Sequence, residues 1–148
     1  MDAVTGGTER GDLMTYEEKI KWLRGYLSKR RELDDVTRRM VEERARSERV
    51  TAQLHSVPVG GSGGDRLQEC VAILCELEER WARLSVESVR YLIAIEDAIE
   101  RVNMDDLRLI LRRRYLDGVG VNTLADELHY SSRHIKRLHV QAVNALDA

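Results

Sequence analysis

The side chains best suited to chemistry lie together near the end of the chain: Ser131, Ser132, Arg133, His134, Lys136 and Arg137. Serine just ahead of a helix is a preferred cap for its unpaired N–H groups, and residues four apart share a helix face. Arginine can pair bidentately with guanine, and lysine, a compact point charge, is well suited to neutralising phosphates. The chemistry on offer is therefore recognition of a nucleic acid, not bond making. Arg133 and Arg137 suit base edges, Ser132 is small enough to approach a base or phosphate, and Lys136 and His134 suit phosphates. The helix N-terminus adds backbone N–H groups and partial positive charge. Arg112, Arg113 and Arg114 are a second basic run that could grip phosphates, although cations at a helix C-terminus also simply complement its dipole.

The other reactive side chains do not organise. His129, His134 and His139 recur in steps of five, which turn successive side chains by about 140° and scatter them, so no metal site is expected. Cys70 and Cys75, also five apart, fit neither a CxxC motif nor a disulfide framework and read as packing residues. Trp22, Trp81 and Tyr91 are likewise expected to pack between helices. The glycine stretch lacks the order of a phosphate-binding loop and follows a helix, not a strand. No carboxylate pair stands out as an acid-base couple. No catalytic residue or cofactor is expected, and the chain does not read as an enzyme.

The elements that position the basic cluster read as helices throughout. Thr15 and Glu18 form a capping box. From there Trp22, Tyr26, Leu33, Val36, Met40, Val50 and Leu54 keep one heptad register, widened early by Ile20, Leu23 and Leu27, so a single helix is expected over 16–55, roughly 60 Å long. A connector at 57–64, Val-Pro-Val-Gly-Gly-Ser-Gly-Gly, ends it. Asp65 with Gln68 supplies the next cap. A second register runs through Leu67, Cys70, Leu74, Leu77, Trp81, Leu84 and Ser88, then Tyr91, Ile95, Ala98 and Val102. Two such seams predict an antiparallel helical hairpin over 15–102. Off-seam Val71, Ile73, Leu92, Ile93 and Ile99 suggest a second covered surface, most simply in a homodimer or higher homo-oligomer.

Past Asn103 the spacing predicts three short helices. Asp105 to Leu116 stops at Asp117-Gly118, and Val121 to His129 turns Leu124, Ala125 and Leu128 inward. A last helix, capped by Ser131, buries Ile135, Leu138, Ala142 and Leu146. The corner at His129-Tyr130 gives the final pair the dimensions of a helix-turn-helix, with small Ala125 allowing close approach. The expected fold is all-α: a long hairpin followed by a three-helix helix-turn-helix domain over 103–148.

The stretch RRRYLDG followed by LADELHYSSRHIKRLHVQAVNAL resembles the C-terminal DNA-binding domain of sigma factors. It is more closely similar to phage transcriptional regulators of the ArpU/RinA-like type, as are PVGGSGGDRL and the long helix before it. The resemblance implies a sequence-specific regulator, a late-gene activator acting on double-stranded promoter DNA in a bacterial host cytoplasm, with RNA polymerase as a further partner. It implies base reading by Ser132, Arg133 and Arg137, with Ser131, His134 and Lys136 near phosphates. His129 stands where the sigma pattern commonly has glycine, and histidine tolerates the left-handed conformation such a corner needs. Two other readings remain at this point: a DNA-packaging protein resembling a small terminase subunit, and a polymerase adaptor that never reads bases.

Bulk properties fit these readings. Among 148 residues 34% are charged, 5% are aromatic and none is Phe, a balance that favours solvated helices. Net charge is -2, so any attraction to nucleic acid must be local. No apolar run spans a bilayer and no secretory signal opens the chain, so no membrane is expected. Residues 1–14 read as a flexible tail or a cloning remnant.

Overall fold

A computed structural model describes residues 13–56 and 62–147. Six helices follow in order: α1 (Tyr16–Leu23), α2 (Gly25–Ser56), α3 (Gly63–Glu100), α4 (Asp105–Tyr115), α5 (Val121–Leu128) and α6 (Ser132–Asn144). No strand occurs among the described residues, and the chain is all-α as expected. Most of the expected tail, and positions 57–61 of the glycine-rich connector, lie outside the described residues. Contacts divide the chain into two compact units. Among the described residues, one is Gly25–Ala94 and the other joins residues 13–24 to residues 95–147. The division thus falls before the boundary expected after residue 102, and α1 belongs with the C-terminal helices.

Within Gly25–Ala94, α2 and α3 form the antiparallel hairpin. Val36, Leu77 and Leu84 make its buried centre, with Leu33, Met40 and Ile73 packed around them. Lys29 pairs with Glu87 at 3.0 Å and Arg44 with Glu78 at 3.6 Å, so position rises on one helix as it falls on the other. Exposed pairs of this kind contribute only about 0.2–1 kcal/mol each. Their main effect is to hold the register that the apolar stripe sets.

The expected seams are partly realised. Cys70, Leu77, Leu84 and Ser88 are buried, but Trp81 is 44% exposed and Leu54 42%. Two helices cover only a narrow stripe of each other, and an indole at its edge extends beyond the cover. Cys75 is also exposed, on the side of α3 away from the hairpin, so packing describes Cys70 alone. α3 starts at Gly63, ahead of the expected cap, and Asp65 lies in its first turn, where a carboxylate complements the positive helix end.

The long helix expected over 16–55 forms with a bend at Arg24, which divides it into α1 and α2. The Thr15–Glu18 capping box forms as read, α1 ends at Leu23 with Arg24 as its C-terminal cap, and α2 begins at Gly25. Glycine is a poor helix former, and here it admits a close approach: a Cβ at residue 25 would lie 2.3 Å from the Tyr91 ring. Leucine at this position must push that ring aside.

The second unit is built around α6, which contacts α4, α5 and α1. Ile110, Leu124, Ala125 and Ile135 form one buried cluster, flanked by Val119, Val121, Leu128 and Leu138. Leu23, Ile99, Leu111, Val143 and Leu146 are fully buried as well. The Lys19 ammonium donates to the Leu146 carbonyl, tying α1 to the end of the chain. Gly118, with φ at 73°, turns the chain after α4 as the Asp117-Gly118 pair predicts.

Gly25→Leu is expected to cost about 1–3 kcal/mol through overpacking, read as a lower urea midpoint for helix loss. Adding Tyr91→Ala should recover part of that loss. Strictly additive losses would show that residue 25 and the ring do not meet.

Candidate nucleic-acid interface

The corner between α5 and α6 is set by backbone chemistry. His129 adopts φ 56° and ψ 38°, the left-handed conformation, and its N–H bonds the Asp126 carbonyl. The Tyr130 N–H reaches back to the Ala125 carbonyl at 2.9 Å. Together these bonds close the helix end in a Schellman arrangement, a place usually held by glycine. Ser131 then extends, and its hydroxyl accepts the His134 N–H at 3.1 Å as the cap of α6. Leu124 and Ala125 on α5 and Ile135 on α6 are each no more than 3% exposed, so the two helices meet closely across small Ala125.

This packing fixes which side of α6 faces out. At about 100° per residue, Arg133, Lys136 and Arg137 fall on the side opposite Ile135 and Ala142. All three are exposed, whereas Ile135 and Ala142 are wholly buried. No acidic residue occurs between Tyr130 and Leu146, and none of the three forms an ion pair among the described residues. Ser131, Arg133, His134 and Arg137 line a shallow recess of about 290 Å³ at the start of the helix.

Two of the expected reading residues have internal partners. The Ser132 hydroxyl donates to Asn122 Oδ1 at 2.9 Å, linking α6 to the first turn of α5. The His134 ring stands edge-on to Tyr130, with centroids 4.7 Å apart. Arg137 Nη2 donates to His134 Nδ1 at 2.9 Å. A guanidinium is always protonated and only donates, so this nitrogen accepts and leaves most of the arginine's N–H groups available. His134 therefore steers Arg137, and Ser132 positions the helix.

Arg112, Arg113 and Arg114 are placed differently. Arg112 pairs with Glu100. Arg113 reaches both Glu127 oxygens, at 2.7 and 2.8 Å, and Asp117 at 2.9 Å, and those carboxylates raise its pKa further. Arg114 Nη1 donates to the Val119 carbonyl at 3.0 Å. The run thus joins α4 to the end of α3, to α5 and to the turn between α4 and α5.

A polar contact unforeseen in the sequence lies beneath the interface. Tyr115 Oη and His139 Nε2 are 2.7 Å apart, linking α4 to α6. Burial pushes the Tyr115 hydroxyl up to about 12, so the phenol keeps its proton beside the imidazole. Burial first, and then the charges of Arg114 and Arg24, hold His139 below its ordinary value. The three histidines thus serve separate roles. Among the described residues no group of three or more His, Cys, Asp or Glu side chains is placed to hold a metal, and no helix is long and apolar enough to cross a membrane.

Compared with known proteins, the chain matches no family model, no curated protein and no solved structure.

The Tyr115–His139 contact makes the C-terminal unit sensitive to acid. An unfolded histidine takes up its proton near pH 6.5, whereas folded His139 resists until lower pH. The contribution is complete above that value and is lost as pH falls through the depressed folded one, because the unfolded chain binds the proton first. Urea midpoints should therefore fall between pH 7.5 and 5.5 more for the natural chain than for His139→Gln. Equal falls would contradict the assignment.

Proposed function

We propose that the chain is a sequence-specific DNA-binding transcription regulator that lays α6 in the major groove. The observation that carries this reading is the contrast between two sets of arginines. Arg108, Arg112 and Arg113 each pair with a carboxylate of the chain. Arg133 and Arg137 share a capped helix face with Lys136 and have no such partner among the described residues. A cation left without internal compensation costs nothing in water, and beside a phosphate backbone it releases counterions.

Geometry adds support. The recognition helix of a helix-turn-helix presents side chains near its N-terminal end to base edges, where Arg133 and Arg137 stand. Arg137, steered by His134, is the better candidate for a guanine, and Lys136 for a phosphate. Ser131 brings the α6 N-terminus toward the backbone, where its N–H groups favour an anion. Ser132 acts through Asn122 in holding that approach. The resemblance to ArpU/RinA-like phage regulators supplies the finer role, activation of late genes in a phage or prophage. With Arg112, Arg113 and Arg114 engaged internally, the phosphate contacts fall to Lys136 and the start of α6.

The duplex that binds best can be selected from a random pool and the variants compared on it by fluorescence anisotropy. Arg137→Ala is expected to cost about 1–3 kcal/mol on the selected site and to relax one base preference. Lys136→Ala should weaken all duplexes alike and lower the salt slope by about one. Equal weakening of every sequence by Arg137→Ala would remove it from base reading, and retention of tight binding by an Arg133→Ala, Arg137→Ala double variant would overturn the assignment of α6.

A further inference from the structure

α3 carries two apolar stripes on opposite sides. One, through Leu77 and Leu84, is the centre of the hairpin. The other follows heptad spacing along Ala72, Cys75, Ala82, Val86, Val89 and Ile93, about 160° around the helix from Leu77. Every one of the six is exposed, and Val86, Val89 and Ile93 reach 52, 53 and 54%. Only Glu79 breaks the run. Such a seam is what a partner helix buries in a coiled coil.

We propose that this outer stripe is a homodimer interface, in which α3 of one copy packs antiparallel against α3 of a second. The charges beside the stripe select both the occupant and its direction. On one flank they run Glu69, Glu76, Arg83, Arg90, acidic in the first half and basic in the second. None of the four pairs with another charge of the chain among the described residues, whereas Glu78 and Glu87, which face the hairpin, are both paired.

An antiparallel copy in the register that sets Ala72 against Val89 and Cys75 against Val86 brings Glu76 beside the second copy's Arg83. The same register brings Glu69 beside its Arg90. Two-fold symmetry repeats each pair, and small residues meet larger ones in both layers. Glu79 then faces small Ala82, next to the second copy's Arg83. On the other flank Val71 meets Leu92. A parallel copy would instead stack Glu79 on Glu79 and small residues on small. Both helices are already formed in their hairpins, so pairing them costs little ordering.

The interface belongs wholly to Gly25–Ala94 and does not rest on the DNA reading; its failure leaves duplex binding by single chains measurable. Sedimentation equilibrium of the full chain should give twice the 17.0 kDa monomer mass at micromolar concentration. Val86→Glu with Val89→Glu should return the monomer mass with helicity retained, because both side chains lie outside the hairpin core. Glu76→Arg or Arg83→Glu alone is expected to raise the dimer dissociation constant about tenfold, and the two together to restore it. Under copper-catalysed air oxidation Val86→Cys should cross-link through Cys75 of the other copy, and adding Cys75→Ser should abolish the link. A monomer at every concentration, no rescue by the double charge swap, or cross-linking of the natural chain through Cys75 alone would overturn the proposal.

Discussion

The burial of Ile135 among Ile110, Leu124 and Ala125 is the contact on which the C-terminal unit depends. A helix can bury only part of its circumference, so fixing one residue inside fixes what stands outside. With Ile135 and Ala142 at 0% exposure, Arg133, Lys136 and Arg137 have no choice but the solvent side. The Ser131 cap and the left-handed His129 then decide where the helix begins and from what angle the chain enters it. The core contact supplies orientation and the corner supplies position. Neither alone would present a basic face at a helix start.

Charge is distributed in a way that a net value of -2 conceals. Arginines of α4 tie neighbouring elements together through Glu100, Asp117 and Glu127, and lysine and arginine of α2 bridge to glutamates of α3. The cations of α6 have been left out of this network. Beneath α6 lies a neutral pair, buried Tyr115 and half-buried His139, close to Arg114 and Arg24. Burial and positive surroundings both keep that imidazole uncharged, which spares the centre of the unit a further positive charge.

Much of this was legible in the residues because it rests on local rules. The Thr15–Glu18 box, the Ser131 cap and the positive φ at Gly118 each follow from short-range backbone satisfaction. The buried Ile135, Ala142 and Leu146 follow from helical period. What escaped depends on tertiary context. The bend at Arg24 falls in a sequence that keeps its heptad spacing, and only the Tyr91 ring against Gly25 gives the glycine a reason. The partners of Arg112, Arg113 and Arg114 include Glu100 and Glu127, more than ten residues away, beyond any spacing rule. Trp81 keeps the register of the seam yet lies at the edge of the two-helix contact, and Cys75 faces away from the hairpin altogether. A second surface on α3 was legible in off-seam Val71 and Ile93, which are exposed, whereas Ile73 packs on the hairpin centre and Ile99 is buried, and the heptad line through Val86 and Val89 lay unread between them.

The central claim, that the outward side of α6 meets the duplex, is open to direct mapping. Amide resonances of the isotope-labelled full chain, followed while selected duplex DNA is added, should shift most at Ser131 through Arg137 and at the start of α5, with α2 little changed. Shifts concentrated on α2 or α3, with the amides of α6 unmoved at saturation, would contradict the account.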